Sequence, residues 1–258
     1  MVQSKKNFFN QIKIHSQYSI CEGALKIEDL KEYCKKNKIQ SVGISDTYNL
    51  SGALEFSESI SSVGTQPIIG SQILFKYKNN YGVIPLIARN YKGYQNLIEL
   101  SSKAYLENHN NDNPHCSVED LLKLGDGLIV LSGSINNLIG NLFNKGLFDD
   151  LDELINLLNS KFNENFYLEI QRHGDLNEKQ FEHFNLDLSK KFKIPIIATN
   201  EVYYLEKEMH EAHDALMCIS QKTYINDQKR LKLSNNHYLK SSNEMIEIFK
   251  DLPEALEN

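Results

Sequence analysis

Short apolar runs recur along the chain at the length and spacing of buried β-strands. Seven strands are predicted in this way, at 8–15, 41–46, 67–75, 83–88, 127–134, 166–174 and 194–200. Most are followed by segments whose apolar positions recur every three to four residues, which is typical of an amphipathic helix. The link between the third and fourth strands, 76–82, is instead a short polar turn. It predicts a hairpin, so the sheet is not expected to be wholly parallel.

The helical pattern is clearest where one face is apolar and capping residues mark the start. In the segment 26–37, positions 27, 30, 33 and 34 are apolar and form one stripe. Ser117 with Asp120, and Ser241 with Glu244, have the spacing of a capping box at a helix start. The remaining predicted helices are at 50–63, 94–106, 137–162, 178–191 and 209–219.

Strands that mostly alternate with helices favour a (β/α) barrel or a doubly wound sheet. Neither a G-x-G-x-x-G motif nor a P-loop follows the first strand, which disfavours a nucleotide-binding doubly wound fold. Composition does not change abruptly along the chain. We therefore expect an α/β fold in one domain that spans 1–258.

Charge and composition limit the function further. The net charge is −6 and no Lys/Arg cluster exceeds two residues. A protein that grips nucleic acid by itself needs a basic face to neutralise phosphates. If this chain serves nucleic-acid chemistry, we expect other segments or partners to hold the strand.

The cellular location follows from the cysteines and from the absence of long apolar runs. Cys21, Cys34, Cys116 and Cys218 are scattered and form no C-x-x-C pair, which favours a reducing compartment. No run approaches the roughly 20 apolar residues that span a bilayer. We expect a cytoplasmic protein that makes no membrane contact.

Polar residues at the strand ends are the candidate chemistry. Active residues of such barrels come from the carboxyl ends of several strands. The candidates are His15, Glu22, Asp46, Thr47, Gln72, Ser134, Arg172, His173 and Glu201. Imidazoles and carboxylates are the ligands of hydrolytic metal sites. Polar strand ends are also ordinary in any barrel, so residue types alone leave both interpretations open.

Several ordered segments resemble the PHP (polymerase and histidinol phosphatase) domain of bacterial DNA polymerase III alpha subunits. The first is Ile14-His-Ser-Gln-Tyr-Ser-Ile-Cys-Glu-Gly-Ala-Leu-Lys26. Others, in order, start at Ser45 (SDTYNLSGA), Pro67 (PIIG), Leu86 (LIARNYKGYQNL), Tyr167 (YLEIQRHG), Ile194 (IPIIATNEVYY) and Tyr238 (YLKSSNEM). The resemblance runs from about residue 8 to the last residue. It implies a distorted seven-stranded (β/α) barrel that is TIM-like, with about 222–258 leading toward a polymerase module absent from this chain.

The resemblance also implies a metal cluster, from which this sequence departs. Its nine positions here are Lys13, His15, Glu22, Thr47, Gln72, Val83, Ser134, Glu201 and Tyr203. Metal-binding members open with His-x-His, and Lys13 takes the first of these positions. Thr47 and Tyr203 stand where ligand histidines are expected. Only His15, Glu22 and Glu201 keep side chains of a suitable kind, so we interpret the site as vestigial, with no metal and no catalytic residue. A cation needs several converging donors, and Lys13 could replace its charge by pairing with Glu22 or Glu201.

These features predict a non-catalytic PHP domain of a replicative DNA polymerase III alpha subunit. The resemblance implies that it scaffolds the polymerase module of the same chain and docks the proofreading exonuclease subunit. It would meet DNA only through the complete polymerase, a DNA-directed DNA polymerase (a nucleotidyltransferase) that uses magnesium. No cofactor is expected in this segment. The alternatives are a metal-dependent phosphoesterase or 3′–5′ exonuclease on the same barrel, and a stand-alone regulator.

The other candidates have ordinary explanations. His173 is expected to be a hydrogen-bonded residue at the barrel rim. His210 and His213 could form a zinc pair, although a solvated helix start is favoured. Asp150 and Asp152 have the D-x-D spacing of a magnesium site, but they lie in an acidic helical run, so a solvated face is favoured.

Overall fold

The computed structural model describes residues 8–107 and 113–258. In these residues the strands are β1 (Lys13–Ile14), β2 (Ser41–Thr47), β3 (Gln66–Tyr77), β4 (Asn80–Ala88), β5 (Cys116–Ser117), β6 (Leu128–Leu131), β7 (Phe166–Ile170), β8 (Ile196–Ala198) and β9 (Glu201–Val202). The α-helices are α1 (Ile27–Asn37), α2 (Ala53–Ser61), α3 (Tyr91–Leu106), α4 (Val118–Lys123), α5 (Leu138–Asn144), α6 (Phe148–Phe162), α7 (Glu178–Phe192), α8 (His210–Ser220), α9 (Ser242–Ile248) and α10 (Glu254–Glu257). Two 3-10 turns lie at Asn163–Asn165 and Lys207–Met209.

The sheet is curled, and its two edge strands, β8 and β9, are consecutive in the chain. Its order is β8-β7-β6-β4-β3-β2-β1-β9, and only Thr199 and Asn200 separate β8 from β9. The first half of this bent stretch pairs with β7 and the second half pairs with β1. Counted as one strand, β8 and β9 complete the seven predicted strands of a distorted α/β barrel. β5 lies off this path and pairs with β3.

The predicted hairpin is confirmed. β3 and β4 are antiparallel, with Tyr77 opposite Asn80 beside the turn, and Lys78 takes a positive φ there. β4 is also antiparallel to β6, whereas β1, β2 and β3 are mutually parallel. The sheet is therefore mixed, because a two-residue turn can join only antiparallel strands.

Several predicted elements have different bounds in the structure, and two of these differences are large. The long helical region predicted at 137–162 consists of two helices, α5 and α6, because Gly146 takes a φ of +68° after the last turn of α5. Glycine adopts this left-handed conformation without steric cost and commonly ends helices. The first strand is only Lys13–Ile14 and not the whole of 8–15.

Helices cover the outside of the sheet with apolar faces. Ile27, Leu30 and Cys34 of α1 are fully buried and pack with Ile14 and Ile44 of the strands. Both predicted capping boxes are present, at the starts of α4 and α9. Phe249, Leu252 and Ala255, near the end of the chain, belong to the larger apolar cluster that includes β6, β7 and β8. In the described part of the chain, no helix is long and apolar enough to cross a membrane.

Candidate functional site

A buried lysine ammonium lies at the centre of the strand ends. Lys13 Nζ is 2.8 Å from Glu169 Oε1 on β7 and 3.3 Å from Glu201 Oε2 on β9, and the lysine side chain is fully buried. Lys13 and Glu201 are aligned in the parallel ladder between β1 and β9. The ion pairs therefore join three strands of the barrel. Lys13 was predicted to pair with Glu22 or Glu201, and the structure shows the pair with Glu201. Its second partner is Glu169 and not Glu22.

His15 lies beside this lysine and shares Glu201 with it. His15 Nε2 is 3.0 Å from Glu201 Oε1, and the amide of Gln72 donates to the same oxygen. The ring of Tyr203 stacks on His15, with a centroid distance of 4.4 Å. The carboxylate of Glu201 thus contacts three of the predicted positions, Lys13, His15 and Gln72. The ring of Tyr203 covers one face of the His15 imidazole.

Burial and neighbouring charges shift the pKa values of these groups. Burial would lower the pKa of Lys13, but the carboxylates of Glu169 and Glu201 outweigh it and raise that pKa above its ordinary value. Burial would raise the pKa of Glu201, but Lys13 and His15 hold it well below its usual range. Burial opposes protonation of His15 too, yet its hydrogen bond to Glu201 and the nearby carboxylates raise its pKa. The cluster therefore holds a fixed ammonium against the ionised carboxylate of Glu201.

Glu169 is a member of this cluster that sequence reasoning missed. Its Oε1 accepts from Lys13, from Gln171 and from the hydroxyl of Thr199. Its Oε2 is buried and has no hydrogen-bond partner within residues 8–107 and 113–258. The available signal was its place in β7, between the buried residues Leu168 and Ile170. A charged residue inside a strand covered on both faces must find a buried partner.

Asp46 orders the loop after β1 and does not face the lysine. Its carboxylate accepts from Ser16 N at 2.7 Å, from Ser16 Oγ at 2.8 Å and from Ser19 Oγ at 2.7 Å. The same loop delivers Glu22, which accepts from the hydroxyl of Thr47. Asp46, a candidate ligand on residue type alone, thus acts as the acceptor that shapes this loop.

The predicted positions meet at one cleft of about 330 Å³. Seven of the nine line it, namely Glu22, Thr47, Gln72, Val83, Ser134, Glu201 and Tyr203. Lys13 and His15 lie beneath and contact Glu201. Thr47 and Gln72 are register partners of β2 and β3, so both reach the cleft at the same level. The structure thus brings all nine positions together.

A pair of histidines with close, tilted rings lies beside the cleft. His173 is buried, as a hydrogen-bonded rim residue should be, and its Nε2 accepts from the backbone N–H of Glu201 at 3.1 Å. Its ring lies 4.0 Å from that of His237, which sequence reasoning missed. His237 Nε2 is 3.0 Å from Asp175 Oδ2, and this contact helps to lower the pKa of Asp175 to about 2 against the opposing effect of burial. Burial and His237 hold the pKa of His173 well below its usual range.

The remaining candidates lie apart from the lysine. His213 was predicted at a solvated helix start, but it is buried, and its Nε2 lies 2.8 Å from the carbonyl oxygen of Glu22. That prediction is wrong because α8 packs His213 against Tyr203 and Tyr204. Asp150 pairs with Lys78 and Asp152 with Lys191 on the surface of α6, as a solvated face predicts.

The donor set does not fit a metal ion. In the ranges that the structure describes, no three His, Cys, Asp or Glu side chains are grouped so that they could hold one. His15 and Glu201 are hydrogen-bonded to each other, and the Lys13 ammonium contacts the same carboxylate. A metal site needs several free donors that converge.

Comparisons with known proteins give consistent similarities. The family model "PHP domain" matches residues 11–173. Over 268 aligned residues, the chain is 36% identical to the DNA polymerase III subunit alpha of Borreliella burgdorferi, covering 99% of this chain and 23% of that protein. It is 33% identical to the corresponding protein of Caulobacter vibrioides, covering 97% of this chain and 23% of that one. The chain thus spans less than a quarter of the length of these curated relatives.

Among solved structures, one similar chain is a two-domain protein from Bacteroides vulgatus that contains a predicted PHP-like metal-dependent phosphoesterase. The TM-score is 0.48 at 11% identity, and the alignment covers 92% of this chain and 62% of that one.

Proposed function

Since the chain belongs to the PHP domain family, and relatives named DNA polymerase III subunit alpha match nearly all of it, we propose that it is a non-catalytic barrel of a replicative polymerase. Its role is to support the polymerase module of the same protein and to dock the proofreading exonuclease subunit. Primer extension, with its magnesium, belongs to residues outside this chain. With a net charge of −6, this segment meets DNA only as part of the complete polymerase.

The observation that carries the proposal is the ammonium of Lys13 between Glu169 and Glu201. In metal-binding members of such a family, this corner would hold cations at converging ligands. Here a covalently attached cation forms ion pairs with the two carboxylates. The neighbouring positions Thr47, Gln72 and Ser134 are neutral and already hydrogen-bonded within the protein. These positions therefore offer no set of free donors for a metal ion. We propose the cytoplasm as the location of the protein.

Scaffolding also agrees with how the barrel is closed. The ion pairs of Lys13 join β1, β7 and β9. They lie near the bend between β8, which pairs with β7, and β9, which pairs with β1. Such contacts preserve the shape of the barrel without an added ion. A barrel of fixed shape presents the same outer surface to neighbouring modules whether or not metal ions are available.

Docking of the exonuclease is tested by size-exclusion chromatography. The chain and the proofreading exonuclease subunit of the same organism are mixed at tens of micromolar and run with and without excess EDTA. We expect the two to co-elute in both buffers, because no ion holds the barrel together. Separate elution would contradict the docking role. Dissociation by EDTA would contradict the metal-free barrel if elemental analysis also finds metal in this chain alone.

Absence of catalysis is tested with phosphate monoesters and single-stranded DNA in buffers supplemented with manganese or zinc. We expect turnover equal to the protein-free reaction, and no change on His15→Ala. Metal-dependent turnover that disappears in His15→Ala would support the alternative, a metal-dependent phosphoesterase or 3′–5′ exonuclease on the same barrel.

A further inference from the structure

The cleft above Lys13 carries an excess of acidic side chains. Glu22, Asp175, Glu178 and Glu201 line it, and none of its described lining residues is a lysine or an arginine. A phosphate group would meet only carboxylates and neutral donors there. The lining therefore favours a positively charged ligand.

Two of these carboxylates lack a full cationic partner. Glu201 forms an ion pair with Lys13, and Asp175 contacts His237. Glu178 accepts only from the backbone N–H groups of His173 and Gly174 at 2.9 and 2.6 Å, so among the described residues it has no cation within ion-pair distance other than a histidine.

That histidine is His173, whose Nδ1 is 3.9 Å away. Burial keeps His173 neutral by holding its pKa well below the usual range. Glu22 accepts from the Thr47 hydroxyl and lies 3.9 Å from His15 Nδ1. Glu22 and Glu178 are thus the acceptors left for a ligand.

An orphaned oxygen gives an independent indication of a missing hydrogen-bond donor. Glu169 Oε2 is buried without a partner in the described part of the chain, and Glu169 lines a small cavity of about 10 Å³. This cavity shares Ser134, Gln171 and Glu178 with the cleft. A buried carboxylate oxygen is costly unless an N–H or O–H donates to it. The cavity has room for about one water or one ammonium group.

The walls between the acids are apolar and aromatic. Val83, Met217 and Leu231 line the cleft together with the rings of Tyr48 and Tyr203. Methylene groups pack favourably on such walls, and an ammonium is attracted to an aromatic face. Glu22 lies in the loop after β1 and Glu178 at the start of α7, and apolar residues line the same cleft. Carboxylates on two elements with apolar walls suit a chain with charged ends better than a compact metal ion, which needs converging ligands.

We infer that this cleft binds a linear aliphatic polyamine, with ammonium groups at Glu22 and Glu178 and methylenes against the apolar wall. The inference rests on the metal-free state proposed above. It assigns to the former catalytic cleft a binding role distinct from support of the polymerase.

Calorimetric titration of the 258-residue chain with putrescine and with spermidine tests this inference, after its metal content has been measured. We expect saturable binding of one molecule per chain, and none of 1,4-butanediol, which has the length of putrescine without its charges. Glu22→Gln and Glu178→Gln should each weaken binding by roughly fivefold to tenfold, because each removes one partly buried charge. Glu99→Gln, an exposed site on α3 outside the cleft, should leave binding unchanged.

Two results would overturn the inference. One is the absence of saturable polyamine binding to metal-free protein; the other is equal weakening by Glu99→Gln and Glu178→Gln. Bound stoichiometric metal would instead contradict the proposed non-catalytic barrel, so the two failures are distinguishable. If circular dichroism shows that Glu178→Gln does not fold, the unmodified chain still tests the inference, because it should bind putrescine and not 1,4-butanediol.

Discussion

Replacing Lys13 with methionine is expected to lower the free energy of unfolding by about 4 kcal/mol, within the range for breaking a buried ion pair from one side. Methionine fills a similar volume, so the loss is mainly electrostatic. Glu169 and Glu201 would then face each other as buried carboxylates without their ammonium. Urea unfolding followed by circular dichroism measures the effect.

The matched control is Lys36→Met, on the exposed face of α1, which should change the free energy of unfolding by no more than about 0.5 kcal/mol. Adding Glu169→Gln and Glu201→Gln to Lys13→Met should recover part of the loss, because the uncompensated charges are gone. Equal stability of Lys13→Met and Lys36→Met would show that Lys13 is not the cation that neutralises this corner of the barrel.

Replacing Asp46 with alanine is expected to lower the free energy of unfolding by about 3 kcal/mol, because three donors of buried residues would lose their acceptor at once. They are the backbone N–H of Ser16 and the hydroxyls of Ser16 and Ser19. Asp46→Asn retains one acceptor oxygen and should lose less. The loop that carries Glu22 should also exchange its amide hydrogens faster in Asp46→Ala.

Asp187→Ala is the control for this loop, since Asp187 is exposed on α7 and its contact with Lys190 spans 3.9 Å. We expect a change within about 0.5 kcal/mol. A loss of stability in Asp46→Ala no larger than in the control would contradict the role of Asp46 as the acceptor that holds the loop. Unchanged amide exchange around Glu22 would contradict it as well.

The barrel could be predicted from the sequence because its strands are apolar runs bounded by turns. The alternation of strand and helix, the hairpin at Lys78 and both capping boxes depend on local chemistry, and all are present. The break at Gly146 was missed because the apolar period continues through it, while one positive φ ends the helix. The bend at Thr199 and Asn200 depends on the closing of the sheet and has no local signal.

The sequence predicted where the site lies, but not all of the side-chain contacts within it. Lys13 was singled out because it replaces a histidine of the resembled motif, and its contact with Glu201 follows from the register of β1 with β9. Glu169 was not predicted because it lies inside β7, whereas the candidates were chosen from residues at strand ends. His237 follows an irregular segment, and only the tertiary fold brings its ring against that of His173.

The central claim is that a lysine side chain supplies the cation in this barrel. Elemental analysis by mass spectrometry of the chain, purified without chelators, tests it most directly. The structure predicts far less than one equivalent of zinc, manganese or iron per chain, because the Lys13 ammonium already forms ion pairs with Glu169 and Glu201. Two or three bound ions per chain would contradict that claim.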